Sequence, residues 1–179
     1  MKERSLNFRQ DVRRFVAPAE APKGIRLFLK TMLEPGLQFA WMARLQMSLE
    51  QGGSSRRARI VHLVNLRATG AEFGHGCTVG GGLVAKHPLG LVVGGGTVIG
   101  RNCTILHNVT FGERYPDSVE NHSLKYPRVG DDCLIGTSAV ILGAVRLGDG
   151  CKVGAGAVVL HDVPENTSVV GSPARPLHR

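Results

Sequence analysis

The chain has 179 residues, of which 42% are hydrophobic and 20% charged, and this length and composition fit one domain with a short extension and exclude wholesale disorder. Its mean hydropathy is +0.00, and no apolar run approaches the length of about 20 residues that a membrane-spanning helix needs. The amino terminus lacks the continuous apolar stretch of a secretory signal, so we expect a cytoplasmic protein without a membrane span.

The formal net charge of +8 is confined to the first part of the chain. Residues 1–70 hold 13 Lys and Arg against 5 Asp and Glu, whereas residues 71–179 hold 9 against 9. The densest basic group, Arg56, Arg57 and Arg59, could attract nucleic acid, acidic lipid or polysaccharide. Because no aromatic residues interleave with it as base stacking would require, we expect no nucleic-acid partner and favour a solvated helix face or a subunit contact.

Glycine and proline divide residues 1–70 into helical stretches. The spacing predicts helices over roughly 25–33, 36–51 and 56–68, with a further short helix over 5–16. In the second of these, apolar residues recur near the 3.6-residue period and predict one buried stripe. The residues of this stripe are Phe39, Trp41, Met42, Leu45 and Leu49.

After Gly70 the sequence follows a six-residue repeat. The units run FGHGCT and VGGGLV, then, after an irregular AKHPLGLV in which the phase slips by two, VGGGTV, IGRNCT and ILHNVT; past a break they resume in phase from VGDDCL to VLHDVP. Such short tandem units are typical of a parallel β-helix, whose flat faces meet at tight corners that favour small residues. The sequence therefore predicts an all-β solenoid at residues 71–179, preceded by a basic α-helical segment at residues 1–70.

The four cysteines occupy the fifth place of their units. This phase predicts that Cys77, Cys103, Cys133 and Cys151 point into the solenoid, with Cys133 and Cys151 stacked on neighbouring coils. We interpret them as small buried hydrophobes, because no pair has the spacing of zinc ligands.

The segments GLVAKHPLGLVVGGGTVIGRNCTILHNVTFG and VGAGAVVLHDVPENTSVVGSPARPL resemble the hexapeptide-repeat acyltransferases and, among them, the serine acetyltransferase family. The helical lead-in FRQDVRRF and MLEPGLQFAWMARLQMSL is similar to that family too. The resemblance implies a left-handed β-helix, a homotrimer with active sites between subunits, and transfer of acetyl from acetyl-CoA to a hydroxyl group. A dimer of trimers through the N-terminal helices is a further possibility that the sequence leaves open.

The resemblance implies that His87, in AKHPLG, is the catalytic base. A neutral imidazole can take the proton of an acceptor hydroxyl as its oxygen attacks the thioester. His107 occupies the third place of its unit, as His87 does, and is expected near it on the next coil, where it could orient His87, hold the acceptor or line the cleft.

Residues of the acceptor site are expected beside His87 and in the loop at about 113–128, which breaks the repeat. The family has an acidic residue before its catalytic His and a second His before a Pro in the loop. Here these places hold Lys86 and Tyr126, with His122 four residues before Tyr126. Lys86 cannot bind the ammonium group of an amino acid, which counts against L-serine. The acceptor is therefore expected to be either L-serine, as the resemblance implies, or a sugar or polysaccharide hydroxyl, which fits at least as well.

The resemblance also implies where acetyl-CoA binds. The backbone at Thr137 and Ala155 would contact the pantetheine arm, and His161 and Arg175 would lie near the nucleotide phosphates, for which a guanidinium is well suited. No metal is expected.

Two other classes of function stay open. The γ-class carbonic anhydrases share the predicted fold and bind zinc through three histidines, for which His87, His107 and His122 are candidates. The second class is a non-catalytic solenoid scaffold, because a fold alone does not fix chemistry.

Overall fold

The computed structural model describes residues 2–16, 24–114 and 125–177. Four helices come first, close to the predicted ranges: α1 (Lys2–Phe15), α2 (Gly24–Leu33), α3 (Pro35–Gln51) and α4 (Ser55–Thr69). Pro35 begins α3 at a position where its missing N–H costs nothing, and Gly70 ends α4 in the left-handed conformation (φ 66°). None of these helices is long and apolar enough to span a membrane.

Short strands follow to the end of the described chain. They are β1 (Glu72–Phe73), β2 (Thr78–Val79), β3 (Val84–Ala85), β4 (Val92–Val93), β5 (Val98–Ile99), β6 (Thr104–Ile105), β7 (Thr110–Gly112), β8 (Arg128–Val129), β9 (Leu134–Ile135), β10 (Val140–Leu142), β11 (Arg146–Leu147), β12 (Lys152–Val153), β13 (Val158–Val159), β14 (Ser168–Val170) and β15 (Arg175–Pro176).

From β1 to β13 every third strand pairs in parallel, so the chain winds as a β-helix with three faces. Sheet A has the order β1-β4-β7-β10-β13, sheet B the order β11-β8-β5-β2, and sheet C the order β15-β14-β12-β9-β6-β3, in which only β15 is antiparallel. The predicted repeat architecture is confirmed by this pairing.

The repeat places one apolar side chain inside at the start of each unit and another at its fifth place. All four cysteines are buried, as predicted, and free. The glycine at the second place allows coils to approach closely, since a Cβ at Gly74 would lie 2.6 Å from the backbone nitrogen of Gly95.

The prediction of a single buried stripe on α3 holds only in part. Phe39 and Met42 are buried and Leu45 and Leu49 are half-buried, but Trp41 is 39% exposed. The helix is covered on more than one side, because α1, α2, α4 and the first coil all contact it. Its buried set therefore also includes the polar residues Arg44 and Gln46.

Candidate functional site

Four of the predicted site residues lie at one edge of the β-helix, the turns between sheet C and sheet A, which we call the C–A edge (residues 86–91, 106–109, 136–139 and 154–157). His87, His107, Thr137 and Ala155 each follow a sheet C strand by two residues. The strands before them pair in sequence, Ala85 with Ile105, Ile105 with Ile135, and Ile135 with Val153. The C–A edge therefore brings the predicted base together with the predicted pantetheine contacts.

The coil that carries His87 contains two extra residues at this edge. Ile105 lies twenty residues after its partner Ala85, whereas Thr110 lies eighteen residues after its partner Val92. The Lys86 N–H donates to Ile105 O (2.9 Å) before the slip, and the Asn108 N–H donates to Leu89 O (3.0 Å) after it. The insertion is therefore His87–Pro88.

Because of this insertion, His87 and His107 do not occupy the equivalent places of the repeat that the six-residue count predicted. In the next coils the Ser138 N–H donates to His107 O (3.0 Å) and the Gly156 N–H to Thr137 O (2.8 Å). The same bond one coil earlier reaches Leu89, so Leu89 stands opposite His107. His87 and His107 share one edge on successive coils, but His87 belongs to a bulge outside the regular repeat.

The backbone of His87 is in the left-handed region, with φ 51°. Among the described residues the other non-glycine residues with positive φ are Asn, Asp and Ser, and Asn, Asp and His are the types found most often in this region. His87 is exposed, Pro88 beside it is buried, and His107 is half-buried. A buried proline thus anchors a turn that directs an imidazole outward.

Lys86 is exposed next to His87. Its backbone belongs to the ladder through the bond to Ile105, so the position of the residue is fixed while the ammonium group extends from the surface. The C–A edge therefore carries a positive charge beside the imidazole, where an acidic residue would have given a negative one.

Tyr126 lies at a different edge, the turns between sheet A and sheet B, which we call the A–B edge. Its ring packs on the glycine turn from β4 to β5, where a Cβ at Gly94 would lie 3.0 Å, and one at Gly96 3.1 Å, from ring carbons. Burial and the nearby Glu113 carboxylate raise the pKa of Tyr126 above its ordinary value. The chain does not bring Tyr126 to the same edge as His87.

Sequence reasoning missed Glu113. It follows the last residue of β7, where the repeat breaks, and a charge at such a break was the available signal. His122, also predicted for this loop, lies outside the described residues.

The two residues predicted for the nucleotide end of acetyl-CoA both lie close to β13. His161 is exposed just after β13, at the A–B edge. Arg175 is exposed in β15, which pairs with β14 at the end of sheet C, and its Nη1 donates to Ala174 O (3.2 Å). The neighbouring Ala174 N–H donates to Val158 O in β13 (2.8 Å), so the chain segments that carry Arg175 and His161 both adjoin β13.

The C–A edge carries small side chains where the pantetheine contacts were predicted. Ala155 is exposed and Thr137 half-buried. A Cβ at Gly136 would lie 2.7 Å from the backbone nitrogen of Ala155, so the coils approach closely here. Ala155 therefore presents only a methyl group at the exposed part of this edge.

The thiols are unsuited to nucleophilic chemistry. Burial raises the pKa of Cys77 to about 12, and contact with Cys103 together with burial raises the pKa of Cys133. The hydrogen bond from Cys133 lowers the pKa of Cys103, but Cys103 has no exposed surface. Within residues 2–16, 24–114 and 125–177 no three His, Cys, Asp or Glu side chains are grouped as metal ligands.

Comparisons with known proteins identify related sequences and related folds. Residues 126–161 match a family model described as bacterial transferase hexapeptide (six repeats). The chain is 38% identical over 140 residues to a serine acetyltransferase of Bacillus subtilis, an alignment that covers 78% of this chain and 63% of that protein. The chain therefore spans somewhat less than two thirds of that relative's length.

Two solved structures extend the similarity to nearly the whole fold. A soybean serine acetyltransferase complexed with serine has a TM-score of 0.84 and 31% identity, covering 99% of this chain and 70% of that one. A serine acetyltransferase of Brucella abortus strain S19 in complex with coenzyme A has a TM-score of 0.84 and 30% identity, covering 99% and 69%.

Proposed function

The chain belongs to the serine acetyltransferase family of hexapeptide-repeat proteins, and from this membership and its C–A edge we propose that it transfers acetyl from acetyl-CoA to an acceptor hydroxyl group. The observation that carries the proposal is the His87–Pro88 insertion, which directs an imidazole outward at the edge that also carries Thr137 and Ala155. A bulge that holds a histidine in the left-handed conformation costs free energy, and such strain is concentrated at functional sites.

In the proposed reaction the two substrates react directly with each other. The His87 imidazole takes the hydroxyl proton as the acceptor oxygen bonds to the thioester carbon, and the tetrahedral oxyanion forms. The oxyanion then collapses, the carbon–sulfur bond breaks, and the CoA sulfur leaves as a thiolate that recovers the proton from the imidazolium. A thiol has an ordinary pKa of about 8.5, so the leaving group needs little help.

We propose that acetyl-CoA lies along the C–A edge, with its pantetheine arm against the backbone at Thr137 and Ala155. A coenzyme A complex of the Brucella abortus relative supports this donor. Arg175 and His161 would then lie near the nucleotide phosphates, for which a guanidinium is well suited.

The same reasoning supports a homotrimer of left-handed β-helices with sites between subunits. Tyr126 lies at the A–B edge and His87 at the C–A edge, so the two residues can serve one acceptor only if they come from adjacent copies. A closed ring of three copies would repeat this pairing three times. A further pairing of trimers through the helices is not needed for the site.

L-serine is the acceptor that the relatives' names favour. Lys86 is the observation that favours a saccharide hydroxyl instead, since an ammonium group beside the base would repel the ammonium group of an amino acid. We therefore propose acetyl transfer to a hydroxyl as the reaction, with serine and a saccharide as the two acceptors to be separated by assay.

The deciding experiment measures release of the CoA thiol from acetyl-CoA across L-serine, homoserine, nucleotide-linked sugars and polysaccharides. The wild-type chain is compared with His87→Asn, because Asn accepts a positive φ and keeps the turn while removing the proton acceptor. We expect turnover to fall about 100- to 10,000-fold in this variant, with CoA binding retained in calorimetry. Turnover within a few-fold of wild type would refute the assignment of His87.

A second variant separates the two acceptors. Lys86→Asp should raise kcat/KM for L-serine if serine is the acceptor, because the new carboxylate attracts the substrate ammonium group. Lys152→Asp is the matched control, since Lys152 is also exposed but lies on β12, away from the insertion. Equal responses of the two variants would remove Lys86 from the acceptor site.

A further inference from the structure

Helix α4 (Ser55–Thr69) buries small and polar side chains and exposes large apolar ones. At 3.6 residues per turn, Ala58, Asn65 and Thr69 fall on one side of the helix, and all three are buried. The opposite side carries Ile60 and Leu63, which are 62% and 45% exposed. An ordinary surface helix buries its large apolar residues and exposes its polar ones.

The exposed side of α4 also carries basic residues at both of its ends. Arg56 and Arg67 lie on the same side as Ile60 and Leu63, with Val64, 46% exposed, next to them. We call these five residues the α4 face. The 15 residues of α4 include four arginines and no acidic residue.

An apolar strip of this kind marks a surface that another body covers. The charge selects the chemistry of that body: copies of the α4 face brought together would place arginines against arginines, and their repulsion opposes the contact. An anionic surface instead attracts every arginine of the α4 face. The helical segment as a whole has the same sign of charge, since residues 1–70 have a basic excess and residues 71–179 have no net charge.

We propose that the α4 face docks on the surface of a lipid bilayer that contains anionic phospholipid. Arg56 and Arg67 would contact the headgroups, while Ile60, Leu63 and Val64 enter the boundary between headgroups and acyl chains. A basic helix with an apolar strip lies in this interface without spanning the membrane. The inference goes beyond acetyl transfer, because lipid binding requires neither substrate.

The test is sedimentation of the full chain with phospholipid vesicles in the absence of acetyl-CoA. One set of vesicles is phosphatidylcholine alone, and the other contains phosphatidylcholine and phosphatidylglycerol at about three to one. We expect the protein to pellet with the anionic vesicles only, and to be released at about 1 M salt, where the Debye length falls to about 3 Å. Absence of pelleting with anionic vesicles would overturn the proposal.

Two pairs of substitutions locate the surface. Arg56→Glu with Arg67→Glu should weaken binding to anionic vesicles at least about 25-fold, about fivefold for each arginine removed from the membrane surface. The control pair is Arg128→Glu with Arg146→Glu, which makes the same change of charge on sheet B, where both side chains are exposed. Equal losses in the two pairs would mean that net charge, and not the α4 face, drives binding, and would overturn the proposal.

The apolar part is tested by Ile60→Gln with Leu63→Gln. This pair should lower vesicle binding while leaving the thermal transition and the mass in solution unchanged, because both side chains are exposed in the chain. If the mass measured by light scattering falls and vesicle binding stays at the wild-type level, a second copy covers the α4 face and the lipid proposal is wrong.

Discussion

Replacing Arg44 tests how the helical segment holds the coil that leads to His87. The guanidinium is buried and forms a paired contact with Asp11, Nε to Oδ2 at 3.1 Å and Nη2 to Oδ1 at 2.9 Å. It also donates to the carbonyl oxygens of Val79 and Gly80. The Leu83 N–H donates to Asp11 Oδ1 (2.7 Å), so one buried pair joins α1, α3 and the first coil.

Arg44→Met would leave this group of polar atoms without its cation. The Asp11 carboxylate, with no exposed surface, would keep only its backbone hydrogen bonds with Leu83 and Gly82, and the carbonyls of Val79 and Gly80 would lose this donor. Removing one partner of a buried ion pair costs about 3–5 kcal/mol, a large part of the about 5–15 kcal/mol that stabilises a typical domain. We therefore expect the free energy of unfolding to fall by about 4 kcal/mol.

The pH dependence gives this prediction a second readout. Burial raises the pKa of Asp11 above its ordinary value of 3.8, and Arg44 opposes that rise. Without Arg44 the folded-state pKa rises further, and a carboxyl whose folded pKa exceeds its unfolded pKa loses stability as pH rises between the two values. The deficit of Arg44→Met should therefore be smaller in acid than at neutral pH.

The assay is urea unfolding at one fixed protein concentration, with Asp11→Leu/Arg44→Met as the matched double variant. The double variant should recover part of the loss, because no charge is then buried alone. A deficit for Arg44→Met within about 0.5 kcal/mol, the range of an ordinary surface change, would refute the reasoning.

Three further outcomes follow from the site and the core. Tyr126→Phe keeps the ring on its glycine seat and removes the hydroxyl, so KM for the acceptor should rise while CoA affinity stays the same; an unchanged KM would exclude the hydroxyl from acceptor binding. Gly96→Ala places a Cβ 3.1 Å from the Tyr126 ring at a backbone φ of 88°, and thermal unfolding should show a loss of about 1–2 kcal/mol in the free energy of unfolding. Gly156→Ala, at φ 67° with open space around the added Cβ, is the control that measures backbone strain without the ring contact. In a thiol-reagent assay at pH 8 the native protein should react negligibly, because Cys77 has a pKa of about 12 and all four cysteines are buried, and should react fully in urea; fast native reaction would contradict the burial.

The repeat could be predicted from the sequence because each unit carries its own structural reasons. The inward place holds an apolar residue, the second place usually glycine, and the strand pairing follows from the spacing. The buried cysteines and the helices α2 to α4 could be predicted by the same local logic, from phase and from punctuation by glycine and proline. The exposed Trp41 could not, because the number of neighbours around α3 depends on tertiary packing.

Contacts between distant residues also lay beyond the sequence pattern. Asp11 and Arg44 are 33 residues apart, and nothing in either local segment indicates that they pair. Gly94 and Gly96, on which the Tyr126 ring packs, belong to the coil before the one that leads to Glu113. The grouping of these residues becomes visible only when the coils are stacked. The six-residue count did locate a slip near AKHPLG, but the ladder was needed to assign it to His87–Pro88.

The two interruptions of the repeat lie at different edges of the solenoid, and this decides how a site can form. His87 enters at the C–A edge, and the loop that ends at Tyr126 leaves from the A–B edge after β7. A regular solenoid has the same cross-section at every coil, so a residue inserted at one edge protrudes from the surface. It forms an enclosed site only if another surface packs around it. The second interruption supplies side chains at another edge of the same solenoid, which a neighbouring copy could present to the first. Catalysis in such a molecule would depend on association of the copies. Dilution to protein concentrations below the dissociation constant of the assembly should therefore abolish turnover while leaving the fold of each chain intact.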